Sequence, residues 1–540
     1  MADPDGLKST RQEQDEDRLA QLGYKQELKR NWSLLHNFGV SFSIISVITG
    51  ITTLFEYGLN TGGPGVMSVG WICVSFFTMF VALGMAEIVS AIPTSGGPYF
   101  WAAILAPDKY SAFFAWVTGW FNLLGQVAVT TGITFGCAQL IATTATVQGS
   151  FSPTAGNTLG IYAALLFSHA MLNTFGVKVL RYLNNTSVAL HSLGVTSFAI
   201  AVLAKAPKHQ SAKFVFASFY DGTGDPIGWS MRASPAYVAV CGILMSQYTI
   251  TGFDASAHLS EETQNAEWNA PLGVLTSVGC SSVFGFFLLI SLLFSIQDFP
   301  NTVDSAAGQP VIQILIDIFG KSGALALMTL VILCVWHAGL FSMTSNSRMM
   351  FGFSRDGGLP HFFTNVDARF QSPIRTVWLA ATLSFLLAIP SLGSTVAFSA
   401  ATSIATIGLY ISYTLPILIG MIWHRNFRKG PFNLRFASRP IALVASCYVA
   451  FLTIVFCLPQ ANPVDSQTLN YTPVAVGIVA VWALGSWVLW ARRWFTGPIR
   501  QIEAERAGVD VSEPGALERA EREGVVGVGG KGRGDTDTSS

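Results

Sequence analysis

Charge is what this 540-residue chain has least of: Asp, Glu, Lys and Arg make up 11% of it, against about 25% in a typical soluble domain. Acidic and basic residues balance at 31 each, so no basic field exists to attract nucleic acid. Cysteine is scarce too. The seven present (Cys73, Cys137, Cys241, Cys280, Cys334, Cys447, Cys457) lie in apolar stretches, with no Cys-x-x-Cys and no His at ligand spacing. That excludes a disulfide framework and a cysteine metal site, and no metal or cofactor is expected. The first 35 or so residues are polar, with no apolar run before a cleavage site, so no secretory signal peptide is expected. No nucleophile, base and orienting group stand together, which argues against an enzyme.

What the chain has in abundance is long apolar runs, with 51% hydrophobic residues. Runs long enough to cross about 30 Å of hydrocarbon recur near 38–60, 65–91, 111–145, 157–177, 182–204, 235–259, 271–296, 322–351, 374–391, 395–422, 440–458 and 472–494. The expected fold is an all-α integral membrane protein of twelve transmembrane helices, its partner the lipid bilayer. The third and eighth runs are long enough to tilt or project. With the N-terminus inside, 26 of the 31 Lys and Arg fall on cytosolic segments, which places both termini in the cytosol. The organisation expected is a cytosolic tail at 1–36 with a surface helix near Leu28–Leu35, helices 1–5 at 37–204, an outer loop at 205–234, helices 6–10 at 235–422, helices 11–12 at 423–495 and a disordered tail at 496–540.

Two runs carry interruptions. In Ser246–Glu262, Thr249, Thr251, Gly252 and Asp254 fall where lipid-facing chemistry calls for Leu, Ile or Val. Ser43–Gly58 has Thr49-Gly50 at its middle, with Thr52-Thr53 just beyond. Hydrocarbon offers no hydrogen-bond partners, so backbone broken at that depth must be buried in protein or line a wet cavity. Two such segments, at the start of blocks of five helices that enter the membrane with opposite orientation, point to a binding site at an inverted-repeat interface.

Gly50 with the Gly62-Gly63-Pro64 turn, AEIVSAIPTSGGPYFW (Ala86–Trp101), TGFDASAHLSEE (Thr251–Glu262) and SRMMFGFSRDGGLP (Ser347–Pro360) give a chain that resembles the amino acid/polyamine/organocation transporters, and among them the fungal and plant amino acid/choline/GABA permeases. The resemblance covers about 38–495. It implies a five-plus-five inverted-repeat core, the LeuT-like fold, with helices 1 and 6 broken and two peripheral helices.

A zwitterionic substrate would then be held by freed backbone groups at the breaks, since an unpaired charge is costly there. The resemblance implies the amides of Thr49, Gly50 and Ile51 for a carboxylate and the carbonyls of Ser46, Tyr248 and Thr251 for an amine, with Gly252 permitting close approach. Tyr248 matches a position where relatives carry an aromatic lid, and a packing role is the alternative; Phe253 is a second candidate. Asp254 could be a ligand, a proton acceptor or a cap on the second half-helix. Glu56 lies a turn and a half beyond the first break; either it snorkels toward the outer surface or, in a vestibule, it would favour cations such as choline or a polyamine. His191, where a proton-coupled relative carries a lysine, is the coupling candidate, able to titrate near physiological pH; a neutral His bonded between helices is the alternative. Asn122 and Gln126 on helix 3 could read the far end of the substrate or bond between helices. Ser342, Thr344 and Ser345 could bind sodium, so sodium coupling stays open.

Two motifs fail. SGGP (Ser95–Pro98) lacks a following Gly-Lys-Ser/Thr and reads as a turn. Glu261-Glu262 reads as a solvated inner gate rather than a catalytic pair. The expectation is therefore a secondary transporter of a small amino acid or amine, GABA or a related zwitterion, driven by a proton gradient. A choline or polyamine transporter and a nutrient sensor with little flux are the alternatives, in the plasma or vacuolar membrane.

Overall fold

The computed structural model describes residue 30 and residues 32–498, apart from 148, 150, 368, 371, 393–396 and 426, together with Asp15 and Leu19. Most of the expected N-terminal tail, part of the Leu28–Leu35 surface helix and the C-terminal tail from 499 onward lie outside these residues. Among the described residues there is no strand, only isolated bridges such as Trp32 with Thr263.

The chain opens with three consecutive helices, α1 (Leu34–Ile45), α2 (Val47–Thr53) and α3 (Phe55–Asn60), then α4 (Gly63–Ala91), short α5 (Pro98–Leu105), α6 (Asp108–Thr146) and α7 (Ala155–Phe175). Next, α8 (Val177–Ala189) passes through a π turn at Leu190–Gly194 into α9 (Val195–Lys205). Short α10 (Ala212–Ala217) and α11 (Trp229–Arg232) lead to α12 (Pro235–Gly242), α13 (Leu244–Thr249) and α14 (Ala255–His258). The remainder is α15 (Ala266–Phe294), α16 (Phe299–Val303), α17 (Pro310–Arg355), α18 (Ile374–Ala388), α19 (Ala397–Ile422), α20 (Ser438–Val455) and α21 (Thr472–Leu489).

Among the described residues, 11 helices are long and apolar enough to cross a membrane, the first counted from α1 through α2. The expected span at 235–259 is not one of them, because it is broken into α12, α13 and α14. At 39 residues, α6 is about 58 Å long, so it must tilt or project. The 46 residues of α17 bend at Gly320 (φ 71°, ψ 176°).

Burial sorts the helices into inner and outer sets. The most apolar windows of α1–α2 and α6 are each 83% buried and that of α19 78%, whereas in α21 only 17% is. Small residues let the inner helices touch: a Cβ on Gly408 of α19 would come within 2.9 Å of the Gly125 backbone in α6. The face carrying Trp32 also carries Ser95, Glu261 and Glu262. The opposite face carries Thr61, Asp221, Gly224 and Asn462.

Candidate functional site

The first break falls at Ser46, not at Thr49-Gly50. Ser46 adopts the left-handed conformation (φ 32°, ψ 76°), ending α1 and starting α2. Its carbonyl accepts the amides of Thr49 (2.8 Å) and Gly50 (3.3 Å). Those two amides are therefore already occupied, Ile51 lies a further residue into α2, and the Ser46 carbonyl is already engaged. This corrects the expected carboxylate ligands and, among the expected amine ligands, Ser46. The donors that a helix start leaves without intrahelical partners belong here to Val47 and Ile48, the first residues of α2.

Side chains compensate the strained residue. The Ser46 hydroxyl lies 2.5 Å from Thr49 Oγ1 and 2.7 Å from His191 Nε2. His191 sits on the π turn, a local widening that recurs at functional sites. Its Nδ1 lies 2.8 Å from the Ser187 carbonyl, an acceptor, so Nδ1 carries the hydrogen. The Ser187 hydroxyl in turn donates to Ser43 (2.7 Å). The expected coupling residue thus touches the break directly.

In the second break, α13 ends at Thr249 and α14 starts at Ala255, with Gly252 at φ 93°. The Thr249 and Thr251 hydroxyls bond back to the carbonyls of Met245 and Gln247, each at 2.6 Å. Tyr410 donates to the Ile250 carbonyl (2.9 Å) and Ser41 to that of Phe253 (3.1 Å). Among the described residues no donor reaches the carbonyls of Tyr248 and Thr251, so both remain available as acceptors.

Asp254 does not cap α14. Its carboxylate makes no bond to the helix backbone; the Ser256 amide is accepted instead by Ser41 of α1 (2.9 Å). Asp254 receives Gln126 Nε2 and the Tyr413 hydroxyl, each at 2.7 Å, and faces His258 Nε2 at 3.2 Å. Gln126 is therefore committed to Asp254, and Asn122 to Ser412 of α19 (2.9 Å). Neither lines the central cavity, which corrects their placement at the far end of a substrate. Phe253 is fully buried against Tyr410 and Tyr413. Thr344 bonds Asn173 while Ser342 meets Thr130, so these hydroxyls diverge instead of converging on one ion.

Between the breaks lies a cavity of about 10 Å³ lined by Ile44, Ile45, Thr49, Gly50, Val129, Ile133, Tyr248, Thr249 and Thr251, room for one water at most. The two breaks meet across it: a Cβ on Gly50 would lie 2.7 Å from Thr249 Cα, and one on Gly252 2.6 Å from Ile44 Cγ2. Ile44, Ile45, Val129 and Ile133 were not foreseen, and Thr249 was foreseen only as part of the interruption. Val129 and Ile133 follow Gln126 by three and seven residues on α6, the spacing of one helix face, a signal that could have found them.

On the side opposite the N-terminal segment the cavity is capped thinly. Tyr248 spans to α6, where a Cβ on Gly132 would lie 2.5 Å from its hydroxyl, and that buried hydroxyl has no partner among the described residues. One turn further, Thr53 packs at Gly136. Beyond them opens a vestibule of about 420 Å³, lined among others by Thr53, Glu56, Tyr57, Gln139 and Gln309. Glu56 does face this vestibule. Gln309 caps α17 and also donates to the Thr52 carbonyl, tying the vestibule wall to α2.

The N-terminal side is sealed in depth. Glu261 accepts the amide (2.9 Å) and hydroxyl (2.8 Å) of Ser95 and pairs with Arg355 at 3.3 Å. Glu262 pairs with Arg348 at 3.2 Å. Both glutamates are buried, at 0% and 6% exposure, so the expectation of a solvated pair is corrected. Burial pushes the Glu261 carboxyl up, but Arg355 and the Ser95 hydrogen bonds outweigh it and hold the group below its ordinary value of 4.5. Asn37 of α1 adds bonds to the Ser256 carbonyl and Thr263, each at 2.9 Å.

Residues 35–481 match the family described as amino acid permease. Over 503 residues the chain is 43% identical to a rice amino-acid permease BAT1 homolog (Oryza sativa subsp. japonica) and 42% identical to amino-acid permease BAT1 of Arabidopsis thaliana, covering 90% of this chain and 96% of each relative. An uncharacterized amino-acid permease of Schizosaccharomyces pombe is 32% identical over 500 residues, 91% of either chain. A multi-helix membrane chain whose two broken segments meet over a closed cavity, matched along nearly its whole length, belongs to the amino acid permease family.

Proposed function

We propose that the chain is a proton-coupled permease of a small amino acid or amine, GABA or a related zwitterion, working by alternating access on a twelve-helix, five-plus-five inverted-repeat core. In this reading α1–α2 and α12–α14 are transmembrane helices 1 and 6, the face carrying Trp32 is cytosolic, and the vestibule opens outward. The substrate carboxylate sits at the start of α2, near the Val47 and Ile48 amides, and its amine near the Tyr248 and Thr251 carbonyls. The cavity is closed around that position and must widen to admit substrate.

The observation that carries proton coupling is the 2.7 Å contact between His191 Nε2 and the Ser46 hydroxyl. With neutral His191, Nε2 accepts from Ser46. A second proton turns Nε2 into a donor, so the Ser46 hydroxyl must reorient at the residue that breaks the helix. Glu56 in the vestibule supports a second reading, a choline or polyamine substrate drawn by its carboxylate.

The test is uptake of labelled GABA, choline and putrescine into proteoliposomes under an inward proton gradient, with and without sodium. Concentrative GABA uptake abolished by a protonophore, together with a His191→Ala variant that keeps substrate exchange but loses proton-driven accumulation, is the expected result. Intact proton-driven accumulation in that variant removes His191 from the mechanism, and choline or putrescine uptake in place of GABA transfers the role to Glu56.

A further inference from the structure

We propose that Asp254 and His258 form a second, fully buried proton-binding site that locks the gate on the N-terminal face. The inference deepens the permease reading and rests on it for the identity of that gate.

His258 lies between two acceptors. Its Nδ1 is 2.8 Å from the Ser95 carbonyl and its Nε2 3.2 Å from Asp254 Oδ2. Both side chains are completely buried. Each contact needs a hydrogen, and a carbonyl has none to give. A neutral imidazole carries one hydrogen on nitrogen, enough for one contact only. The geometry therefore holds one proton more than a neutral histidine beside an ionised aspartate, either as imidazolium with carboxylate or as imidazole with carboxylic acid. The remaining Asp254 contacts, Gln126 and Tyr413, are themselves donors and satisfy the carboxyl in either form.

The charged and titratable groups around the pair come from several elements. Beyond Ser95 stand Glu261 with Arg355, and beside them Glu262 with Arg348. From α5, Tyr99 donates to Asp356 at 2.9 Å. From α19, Tyr413 touches Asp254 directly and Tyr410 packs against Tyr413. The two gate glutamates are each matched by an arginine, which leaves Asp254 and His258 as the pair whose hydrogen bonding lacks a proton when His258 is neutral and Asp254 ionised.

Loss of that proton to water on the N-terminal face leaves two lone pairs opposed, at Ser95 or at Asp254. Ser95 is also the residue whose amide and hydroxyl hold Glu261. Parting His258 from Ser95 therefore frees the 92–97 turn and loosens the gate, while breaking the Asp254 contact releases the second break. Protonation holds the gate shut; deprotonation opens it.

The experiment measures the rate at which an impermeant thiol reagent modifies a Thr94→Cys variant from the N-terminal face. Thr94 is buried in that turn, and its hydroxyl has no partner among the described residues. Rates are divided by those of a Phe436→Cys variant, 93% exposed at this position, which removes the intrinsic pH dependence of the thiol, and the unsubstituted protein supplies the background from native cysteines. The normalised rate is expected to rise with pH by up to about tenfold per unit, the slope for release of one proton. Asp254→Asn should flatten the curve at the low, closed value, because its amide NH2 can donate to neutral His258 and to Gln126 once the Gln126 amide turns its oxygen toward it. His258→Gln should flatten it as well. A pH-independent rate in the otherwise native background, or the native slope retained in Asp254→Asn, overturns the proposal; if His258→Gln does not fold, Asp254→Asn decides. The readout needs no net flux. Proton-driven uptake could fail while the slope still disappears in Asp254→Asn, which sinks only the coupling reading, and the reverse result sinks only this site.

Discussion

Gly50→Ala is the sharpest probe of the contact between the two breaks. The added methyl would stand 2.7 Å from both Cα and Cβ of Thr249, a separation that requires a backbone to move. Overpacking of this kind costs about 1–3 kcal/mol, and the upper part of that range applies because the atom met is main chain in α13. Alanine's better helix propensity returns about 1 kcal/mol, leaving a net cost on the order of 1–2 kcal/mol, or roughly 5- to 30-fold in the equilibrium between closed and widened cavities. Gly279→Ala is the matched control: it also lies inside a helix, but its methyl would meet only Met79 Cε at 3.8 Å. The assay is proteoliposome uptake and substrate exchange at equal reconstituted protein, with thermal melting in detergent alongside. Gly50→Ala should lose uptake roughly 5- to 30-fold and melt at a lower temperature, while Gly279→Ala keeps uptake and melts no lower. Equal behaviour of the two variants would refute the close approach of α2 and α13 on which the cavity rests.

Three further outcomes follow from the same geometry. Because the folded-state value of Glu261 lies below 4.5, its contribution to stability is fully present above about 4.5 and is lost as pH falls through the depressed value; Glu261→Gln should shrink the acid-side fall in melting temperature, and an unchanged fall would remove Glu261 from the gate. Arg348→Met strands the buried Glu262 and should cost about 3–5 kcal/mol, whereas Arg348→Met combined with Glu262→Gln should recover most of it; melting of the single and double variants decides whether the pair is coupled. Tyr248→Phe removes a buried hydroxyl with no partner among the described residues, so melting temperature should hold or rise, while Tyr248→Ala should let substrate escape and lower apparent affinity at least tenfold in binding assays; a destabilised Tyr248→Phe would show that the hydroxyl is bonded.

Much of the architecture was legible in the sequence because apolar runs of about 20 residues have one outcome in hydrocarbon. Membrane helices, and segments of threonine and glycine that cannot cross as plain helix, follow from that alone. His191 could be singled out because the resemblance aligns it with a lysine of a proton-coupled relative and because histidine titrates near physiological pH; burial cost alone would have pointed equally to His169 and His337. What the sequence could not settle is which groups meet. Ser46, rather than Gly50, takes the left-handed turn because His191 and Thr49 stand ready to bond its hydroxyl, and the partner His191 lies 145 residues away. For Asn122 and Gln126 the sequence left substrate contact and interhelical bonding both open, and the structure shows interhelical bonds, since their orientation depends on where α19 and α14 pack. His258 drew no notice in the sequence, because four residues from Asp254 is an unremarkable helical spacing; only the close approach of the 92–97 turn places an acceptor on its other side. Hydrophobicity and backbone hydrogen bonding thus determine the spans and the weak points along the chain, but side-chain pairing in a dry interior depends on distances between segments far apart in sequence, and those exist only once the helices have packed.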